Sequence, residues 1–207
     1  LSSIVKRKLY SKRGGKVYAA FIDYKKAFDS VNREKLWFML QELETSSKMI
    51  GILKAMYVSV ESCVRWGATL SDFFGCPQGV KQGCLLSPLI FSLLISKVAD
   101  EVRENGRHGF QLLPGGQEIF LLLFADDIVL LSSSPAGLQN QINSLERASK
   151  SLGLEVNLDK TKIMVFRKGG HLSQSEKWTF NGIKIEVVNS YKYLGFLLTT
   201  KLSADCA

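Results

Sequence analysis

The sequence predicts an α+β fold, with an antiparallel sheet covered by helices on one face. Short apolar runs that end at a charge or a glycine indicate strands, and longer runs with apolar residues at helical spacing indicate helices. The two kinds interleave without the strict alternation of a parallel βαβ fold. Of the 207 residues, 46% are hydrophobic and 22% are charged, so one substantial core with at most a small annexe is expected.

The first half of the chain is expected to form a helix at residues 1–13, a strand at 17–23, helices at 33–40 and 46–58, a hairpin at 60–74 and a long helix from residue 87. Gly14-Gly15 would end the first helix, and Asn32 can cap the second. Gly67 would turn the hairpin. Ser87 as N-cap and Pro88 in the first turn predict the start of the long helix, which is nearly all apolar and therefore expected to be buried.

The second half is expected to form strands at 119–125 and 128–131, a helix at 135–151, and strands at 162–167, 177–180, 183–187 and 193–198. Gly115-Gly116 turns the chain into the first of these strands. Asn181-Gly182 is typical of a two-residue hairpin turn, because both positions of such a turn need a positive φ.

The net charge of +8 favours a polyanionic partner, although charge alone does not identify one. The four cysteines lack CxxC spacing, which argues against a zinc site or a disulfide framework and fits a reducing compartment. No apolar run is long enough for a membrane span, so an intracellular location, in the nucleus or cytoplasm, is expected. Because the first residue is Leu1, we expect the natural start of the protein to lie upstream.

Paired acids occupy an unusual position in the segment FLLLFADDIVLL. Asp126 and Asp127 lie between two apolar strands, where like charges repel and partial burial adds to the cost of ionisation. The simplest interpretation is a solvated acidic turn. Asp23 ends another apolar strand, however, and if the two strands are neighbours the three carboxylates converge. A pair of Mg²⁺ ions, or Mn²⁺ in their place, would then relieve the repulsion.

Five segments occur in a fixed order: AFIDYKKAFDSVN, KQGCLLSPLIF, FADD, LGLEVNLDKTK and YLG. Together they resemble motifs A to E of the reverse transcriptases of non-LTR (LINE-like) retrotransposons, over residues 17–198. The resemblance implies a polymerase palm, with the fingers largely missing and the thumb absent. It implies a basic remnant of fingers or linker at 1–16, a palm with motifs A to D at 17–190, and a primer-grip motif E with a truncated end at 191–207.

The resemblance also implies the metal ligands. Asp23 of motif A and Asp126 of motif C would bind the metal ions, with the backbone carbonyl of Tyr24 as a further contact. Asp127 would be a supporting carboxylate. Lys160 of motif D would protonate the pyrophosphate leaving group or neutralise its charge, although the same lysine could simply be a solvated surface residue.

For the nucleotide pocket, the resemblance points to Phe28, Gln82 and Gly83. Phe28 would be the steric gate, whose ring leaves no room for a 2′-OH; the alternative is an ordinary core phenylalanine. Gln82 stands five residues before Ser87, which is the spacing of motif B, so it would contact the dNTP. Gly83 would allow close approach of the backbone. Gln78 is interpreted as a loop residue.

For the primer, the resemblance points to Tyr193, Leu194 and Gly195 of motif E, although an apolar strand with a glycine at a bend would look similar. The implied function is RNA-directed DNA polymerisation: two-metal transfer of a nucleotide from a dNTP to a primer 3′-OH. The partners would be an RNA template, a DNA primer and the dNTP, with the oligomeric state open. The alternatives are a catalytically inactive nucleic-acid-binding retroelement fragment and an intron-maturase-type reverse transcriptase.

Overall fold

A computed structural model describes residues 1–10, 15–113, 115–173 and 176–201. The helices in these ranges are α1 (Ser2–Leu9), α2 (Arg33–Glu42), α3 (Ser47–Met56), α4 (Ser87–Asn105) and α5 (Pro135–Leu152). The strands are β1 (Val17–Ile22), β2 (Glu61–Ser62), β3 (Arg65–Trp66), β4 (Thr69–Leu70), β5 (Phe74–Gly75), β6 (Phe110–Gln111), β7 (Glu118–Ile119), β8 (Leu121–Phe124), β9 (Asp127–Ser132), β10 (Lys162–Phe166), β11 (Thr179–Phe180), β12 (Ile183–Lys184), β13 (Glu186–Val187), β14 (Ser190–Tyr193) and β15 (Phe196–Thr199). Across the described ranges, every helix is too short or too polar to span a lipid bilayer.

The central sheet has the strand order β13-β10-β1-β9-β8. Strand β1 lies in the middle and pairs antiparallel with β10 on one side and β9 on the other. All six of its residues are buried, as expected for an apolar strand covered on both faces. The predicted antiparallel sheet is therefore found, and only the short edge strand β13 runs parallel to its neighbour β10.

One face of the sheet is covered by α2, α3, α4 and α5, as the sequence predicts. The alternate residues Ala20 and Ile22 of β1 point into this layer and join one continuous core with the helices. Leu94 of α4 and Leu138 and Ile142 of α5 have almost no exposed surface there. Each fully buried side chain of this kind contributes about 1.5–3 kcal/mol. This layer fixes the position of the sheet relative to the helices.

The opposite face carries a second core. Val5 and Leu9 of α1 pack there against Phe21 of β1, and the hairpin of β14 and β15 adds Tyr191 and Leu198. Because side chains alternate along a strand, Phe21 faces this layer while its neighbours face the helices. The face opposite the four helices is thus covered by the basic N-terminal helix and the predicted primer-grip segment.

Three turn and cap predictions are confirmed. The Asn32 side chain accepts the backbone N–H of Lys35 at 3.0 Å, capping α2. Gly67, with a φ of 61°, turns the chain between β3 and β4. Asn181 and Gly182 have φ values of 49° and 74° and connect β11 to β12. In each case a local sequence signal was sufficient, because caps and tight turns depend on a few adjacent residues.

Other element predictions are wrong in detail. Ser87 is the first residue of α4 and Leu86 is its N-cap, because the Ser87 hydroxyl is buried 3.4 Å from the Tyr57 hydroxyl. The strand predicted at 193–198 is the hairpin of β14 and β15. The strand predicted at 183–187 divides at Ile185 into β12 and β13, which pair with different partners. Helix α1 ends at Leu9, and the predicted helix end at residues 11–14 lies outside the described residues, as do residues 202–207.

Candidate active site

The three acids of the FLLLFADDIVLL and VYAAFID segments meet at one end of the sheet. The pairing of β1 with β9 ends at Ile22 opposite Ile128, so the next residue, Asp23, follows the strand beside Asp127. Asp127 in turn pairs with Phe124 across the β8–β9 hairpin. Asp126 therefore lies in the two-residue turn that closes this hairpin. Pairing between strands about a hundred residues apart in sequence brings the carboxylates together.

The turn between β8 and β9 is strained. Ala125 has a φ of 53°, the left-handed region that glycine or asparagine occupies more easily. Such a conformation costs about 1 kcal/mol or more for a residue with a Cβ, and it persists only where surrounding structure fixes it. Here the paired strands fix it. This tight turn places Asp126 and Asp127 at the end of the sheet, beside Asp23.

The electrostatics of the acids reflect this convergence. Burial raises the pKa of Asp127 above its ordinary value, and the negative charges of Asp126 and Asp23 raise it further. The Oδ2 atom of Asp23 is buried and has no hydrogen-bond partner. A buried carboxylate oxygen without a donor is costly, and a divalent cation is the kind of group that would satisfy it.

The ligand set that would hold such a cation is partly assembled. The bridge between Tyr24 and Val156 uses the carbonyl of Asp23 and the amide of Lys25, so the Tyr24 carbonyl is not engaged by that bridge. Within the ranges that the structure describes, no group of three or more His, Cys, Asp and Glu side chains is arranged to hold a metal by itself. The donors here are carboxylates and a backbone carbonyl, oxygen ligands that suit Mg²⁺ and Mn²⁺.

Lys160 lies at the same end of the sheet. Its Nζ is 3.9 Å from the Oδ2 of Asp23, too far for a hydrogen bond but close enough for electrostatic attraction. Its side chain is 68% exposed. The ammonium group is therefore accessible to solvent beside the carboxylate of Asp23.

The predicted nucleotide residues come together around the loop at residues 78–83. The side-chain amide of Gln82 donates to the carboxylate of Asp29 at 2.8 Å. The backbone N–H of Val80 donates to the carbonyl of Phe28 at 2.8 Å. Gly83 has a φ of 81°, and a Cβ added there would meet no atom within 4 Å. Gln82 and Asp29 line a cavity of about 780 Å³, large enough for a small ligand.

The residues that hold this loop in place were not predicted from the sequence. Gly79 has a φ of 86°, and a Cβ on it would lie 2.8 Å from the carbonyl oxygen of Asp29. The guanidinium of Arg33 donates to the carbonyls of Gly79, at 2.8 Å, and of Gln78, at 3.1 Å. The interpretation of Gln78 as a loop residue fits these contacts. The signal available in the sequence was the pair of Gln-Gly dipeptides, but nothing local says which glycine makes a close contact.

The predicted primer segment forms the β14–β15 hairpin. Leu194 and Gly195, with φ values of 47° and 84°, are its turn. Tyr193 tilts against Phe21, with 5.5 Å between ring centroids. Burial raises the pKa of Tyr193, and the charge of Asp127 adds to this effect. The hairpin therefore lies on the sheet close to the acids.

Tyr191 also belongs to this hairpin and was missed. Its ring stacks on Phe21 at 4.5 Å between centroids. Burial raises its pKa, and the charges of Asp23 and Asp127 raise it further. The alternation in the segment YKY is the signal that could have identified it, because residues 191 and 193 of one strand share a face.

Acids converge at one end of the sheet, helices cover one face and an aromatic hairpin covers the other, and this is the arrangement of a polymerase palm. Residues 1–198 match the family model described as reverse transcriptase (RNA-dependent DNA polymerase). The chain belongs to the reverse transcriptase family.

The relatives are retroelement proteins. Over 156 residues, or 75% of the chain, it is 32% identical to the retrovirus-related Pol polyprotein from type-1 retrotransposable element R2 of Nasonia vitripennis. Over 142 residues, or 68% of the chain, it is 30% identical to the transposon TX1 uncharacterized 149 kDa protein of Xenopus laevis. The matched region is 15% of the first protein and 11% of the second, so the chain spans a small part of each. These matches confirm the predicted membership of the non-LTR retrotransposon group.

Solved structures with the same fold include telomerases. Telomerase from Candida albicans, in complex with a TWJ fragment of telomeric RNA, superposes with a TM-score of 0.62 at 17% identity, over 98% of this chain and 34% of that one. Apo telomerase from Candida tropicalis superposes with a TM-score of 0.57 at 20% identity, over 88% of this chain and 36% of that one. At these identities the likeness concerns the fold, and it confirms the predicted polymerase palm.

Proposed function

We propose that this chain carries the polymerising centre of an RNA-directed DNA polymerase, which adds a nucleotide from a dNTP to the 3′-OH of a DNA primer on an RNA template. The observation that carries the proposal is the Oδ2 of Asp23, which is buried beside the acid turn, accepts no hydrogen bond and has only the distant Lys160 ammonium near it. Membership of the reverse transcriptase family supports it. A carboxylate with no ligand to bind would be expected to accept hydrogen bonds or to remain in water.

In this proposal Asp23, Asp126 and the carbonyl of Tyr24 hold a pair of Mg²⁺ or Mn²⁺ ions, with Asp127 as a supporting carboxylate. The ions supply the activation of the primer hydroxyl and the neutralisation of the triphosphate. Burial raises the pKa of Asp127, and repulsion from Asp126 and Asp23 raises it further; this repulsion favours the binding of positive charge at this point.

The other residues bind and orient the substrates. Phe28 lies beneath the sugar and excludes a 2′-OH, while Gln82 and Gly83 contact the incoming nucleotide. Lys160 gives a proton to the leaving pyrophosphate or neutralises its charge. The exposure of the Lys160 side chain and its 3.9 Å separation from Asp23 support this role.

The primer backbone is held by Tyr193, Leu194 and Gly195 at the tip of the β14–β15 hairpin. We assign the palm to residues 17–190, the primer grip to the segment from residue 191, and a remnant of fingers or linker to residues 1–16.

The test is primer extension on an RNA template, comparing wild-type chain with Asp126→Asn. Loss of a metal ligand should reduce the extension rate by about 10³-fold or more, while binding of primer–template changes little. Asp100→Asn is the matched control, because Asp100 makes only a surface ion pair with Arg103 and should extend normally. Normal extension by Asp126→Asn would exclude this mechanism. A wild-type chain that binds primer–template but does not extend it would favour the alternative of a non-catalytic binding protein.

A further inference from the structure

A single turn holds both backbone polar groups of Asp23. The backbone N–H of Asp23 donates to the Oγ1 of Thr161 at 3.1 Å. The carbonyl of Asp23 accepts the backbone N–H of Asn157 at 2.7 Å. Both partners lie at the ends of the turn at residues 157–161, so this turn fixes the peptide that carries the candidate metal ligand from both sides.

The hydroxyl of Thr161 lies just beyond the point where the backbone hydrogen bonds between β1 and β10 end. The pairing of β1 with β10 ends at Phe21 opposite Lys162. One residue beyond each strand, the side chain of Thr161 provides the acceptor that the backbone ladder no longer offers. Thr161 has no exposed surface. Water therefore has no access to replace its hydroxyl, and removing the hydroxyl would leave the Asp23 N–H without this acceptor.

Hydrogen bonds within the turn at residues 157–161 stabilise its conformation. The N–H of Thr161 donates to the carbonyl of Asn157 at 2.8 Å. The N–H of Asp159 donates to the Asn157 side chain at 3.2 Å. Lys160 belongs to the same turn, and its Nζ lies 3.9 Å from the carboxylate of Asp23. The contacts that orient Asp23 thus also set the position of Lys160 relative to it.

We propose that Thr161 is a positioning residue: its buried hydroxyl fixes the backbone of Asp23 so that the carboxylate faces Asp126 and Asp127. This inference rests on the proposed function, because it assumes that the carboxylates bind a divalent cation. Groups that orient a metal ligand without touching the metal change metal affinity by about 10–100-fold when they are removed. The expected size of the effect follows from that range.

The experiment measures Mn²⁺ binding to the chain by the loss of the free-ion electron paramagnetic resonance signal. Thr161→Val keeps the shape and removes the hydroxyl, and we expect Mn²⁺ affinity to fall by about 10-fold. Thr161→Ser keeps the hydroxyl and should bind within about threefold of the wild type. Thr179→Val, on the exposed strand β11, is the matched control and should bind as the wild type does. Rescue by serine separates a positioning role from a packing role.

Thermal melting checks that each variant is folded. A folded Thr161→Val with wild-type Mn²⁺ affinity would overturn the inference. If Thr161→Val does not fold, Thr161→Cys is used instead, because its thiol is similar in size and a weaker acceptor. Wild-type Mn²⁺ affinity in that variant would equally overturn the inference.

Asp126→Asn separates a failure of the positioning role from a failure of the proposed function. If it loses Mn²⁺ while Thr161→Val does not, only the positioning role fails. If Asp126→Asn binds as the wild type does, the proposed function fails and the inference fails with it.

Discussion

The ring of Phe28 stacks on the ring of Phe91, with 4.6 Å between the centroids and 20° between the planes. Phe28 follows strand β1, whereas Phe91 lies in α4, the helix that begins shortly after the loop at residues 78–83. The ring of Phe28 is half-buried, so part of it packs on the core and part remains accessible. A gate residue needs both properties: a fixed position and a surface that a sugar can contact.

Shortening Phe28 should therefore relax sugar selection. In Phe28→Ala the space beneath the sugar can accept a 2′-OH, and we expect the ratio of kcat/KM for dNTP over rNTP to fall by about 10-fold or more. Single-nucleotide primer extension measures this ratio. Phe180→Ala, another half-buried aromatic on the β11–β12 hairpin, is the control and should leave the ratio unchanged. If Phe28→Ala is folded and keeps the wild-type ratio, another residue is the gate.

Two glycines of one loop should respond differently to alanine. In Gly79→Ala the new Cβ would lie 2.8 Å from the Asp29 carbonyl oxygen and 2.9 Å from its Cα, in addition to the strain of a φ of 86°. In Gly83→Ala only the strain of a φ of 81° applies, which costs about 1 kcal/mol. We therefore expect Gly79→Ala to lower the free energy of unfolding more than Gly83→Ala, as measured by urea denaturation. Equal effects would mean that the close contact relaxes without cost.

The raised pKa of Asp127 predicts a pH-dependent stability. Because the folded state holds the Asp127 proton more tightly than the unfolded state, stability falls as pH rises from the ordinary aspartate pKa, about 3.9, through the raised one. Asp127→Asn removes this penalty. With a chelator present to remove divalent cations, we expect the melting temperature of Asp127→Asn to exceed that of the wild type by a few degrees at neutral pH. This difference in melting temperature should shrink as the pH falls.

The control for this titration is Asp100→Asn, whose carboxylate lies on the surface of α4. Its melting temperature should follow that of the wild type across the same pH range. A difference between Asp127→Asn and the wild type that stays constant with pH would show that the titration of Asp127 is not its cause.

A buried carboxylate outside the site should contribute strongly to stability. The Oε1 of Glu176 accepts hydrogen bonds from Lys16 at 2.6 Å and Tyr18 at 2.8 Å, and the Ser173 N–H donates to Oε2 at 2.6 Å. Burial by itself raises the pKa of Glu176, but these donors outweigh it and the pKa is lowered. The stabilisation is therefore present at neutral pH and is lost as pH falls through the acid range.

Glu176→Gln should lower the free energy of unfolding by about 2 kcal/mol at pH 7, because it leaves buried donors poorly matched. Urea denaturation measures this, and the difference from the wild type should shrink in acid. Glu186→Gln is the control: its carboxylate also pairs with a lysine, but it is 65% exposed, so we expect less than about 1 kcal/mol. Equal losses in the two variants would contradict a special role for the buried group.

Short sequence patterns predicted most of the helices, strands and turns, and the order of the five motifs was read directly from the sequence. The cap at Asn32 and the turn at Asn181-Gly182 depend on adjacent residues, so they could be predicted. The start of α4 was misjudged by one residue, because the Ser87 hydroxyl faces Tyr57, which lies 30 residues earlier in the chain. The strand predicted at 193–198 was in fact a hairpin because a leucine, Leu194, occupies a turn position that the sequence does not mark.

The sequence alone determined which residue types were available for the chemistry: the acids, the lysine, the phenylalanine and the two Gln-Gly pairs, in an order typical of one family. Tertiary structure decided which of them meet. Strand β1 pairs with β9 and β10, which lie far along the chain. This pairing places Asp23 beside Asp127 and brings the Thr161 hydroxyl within hydrogen-bonding distance of the Asp23 N–H. Strand pairing over such distances depends on the burial of a whole sheet, and no local pattern of residues specifies it.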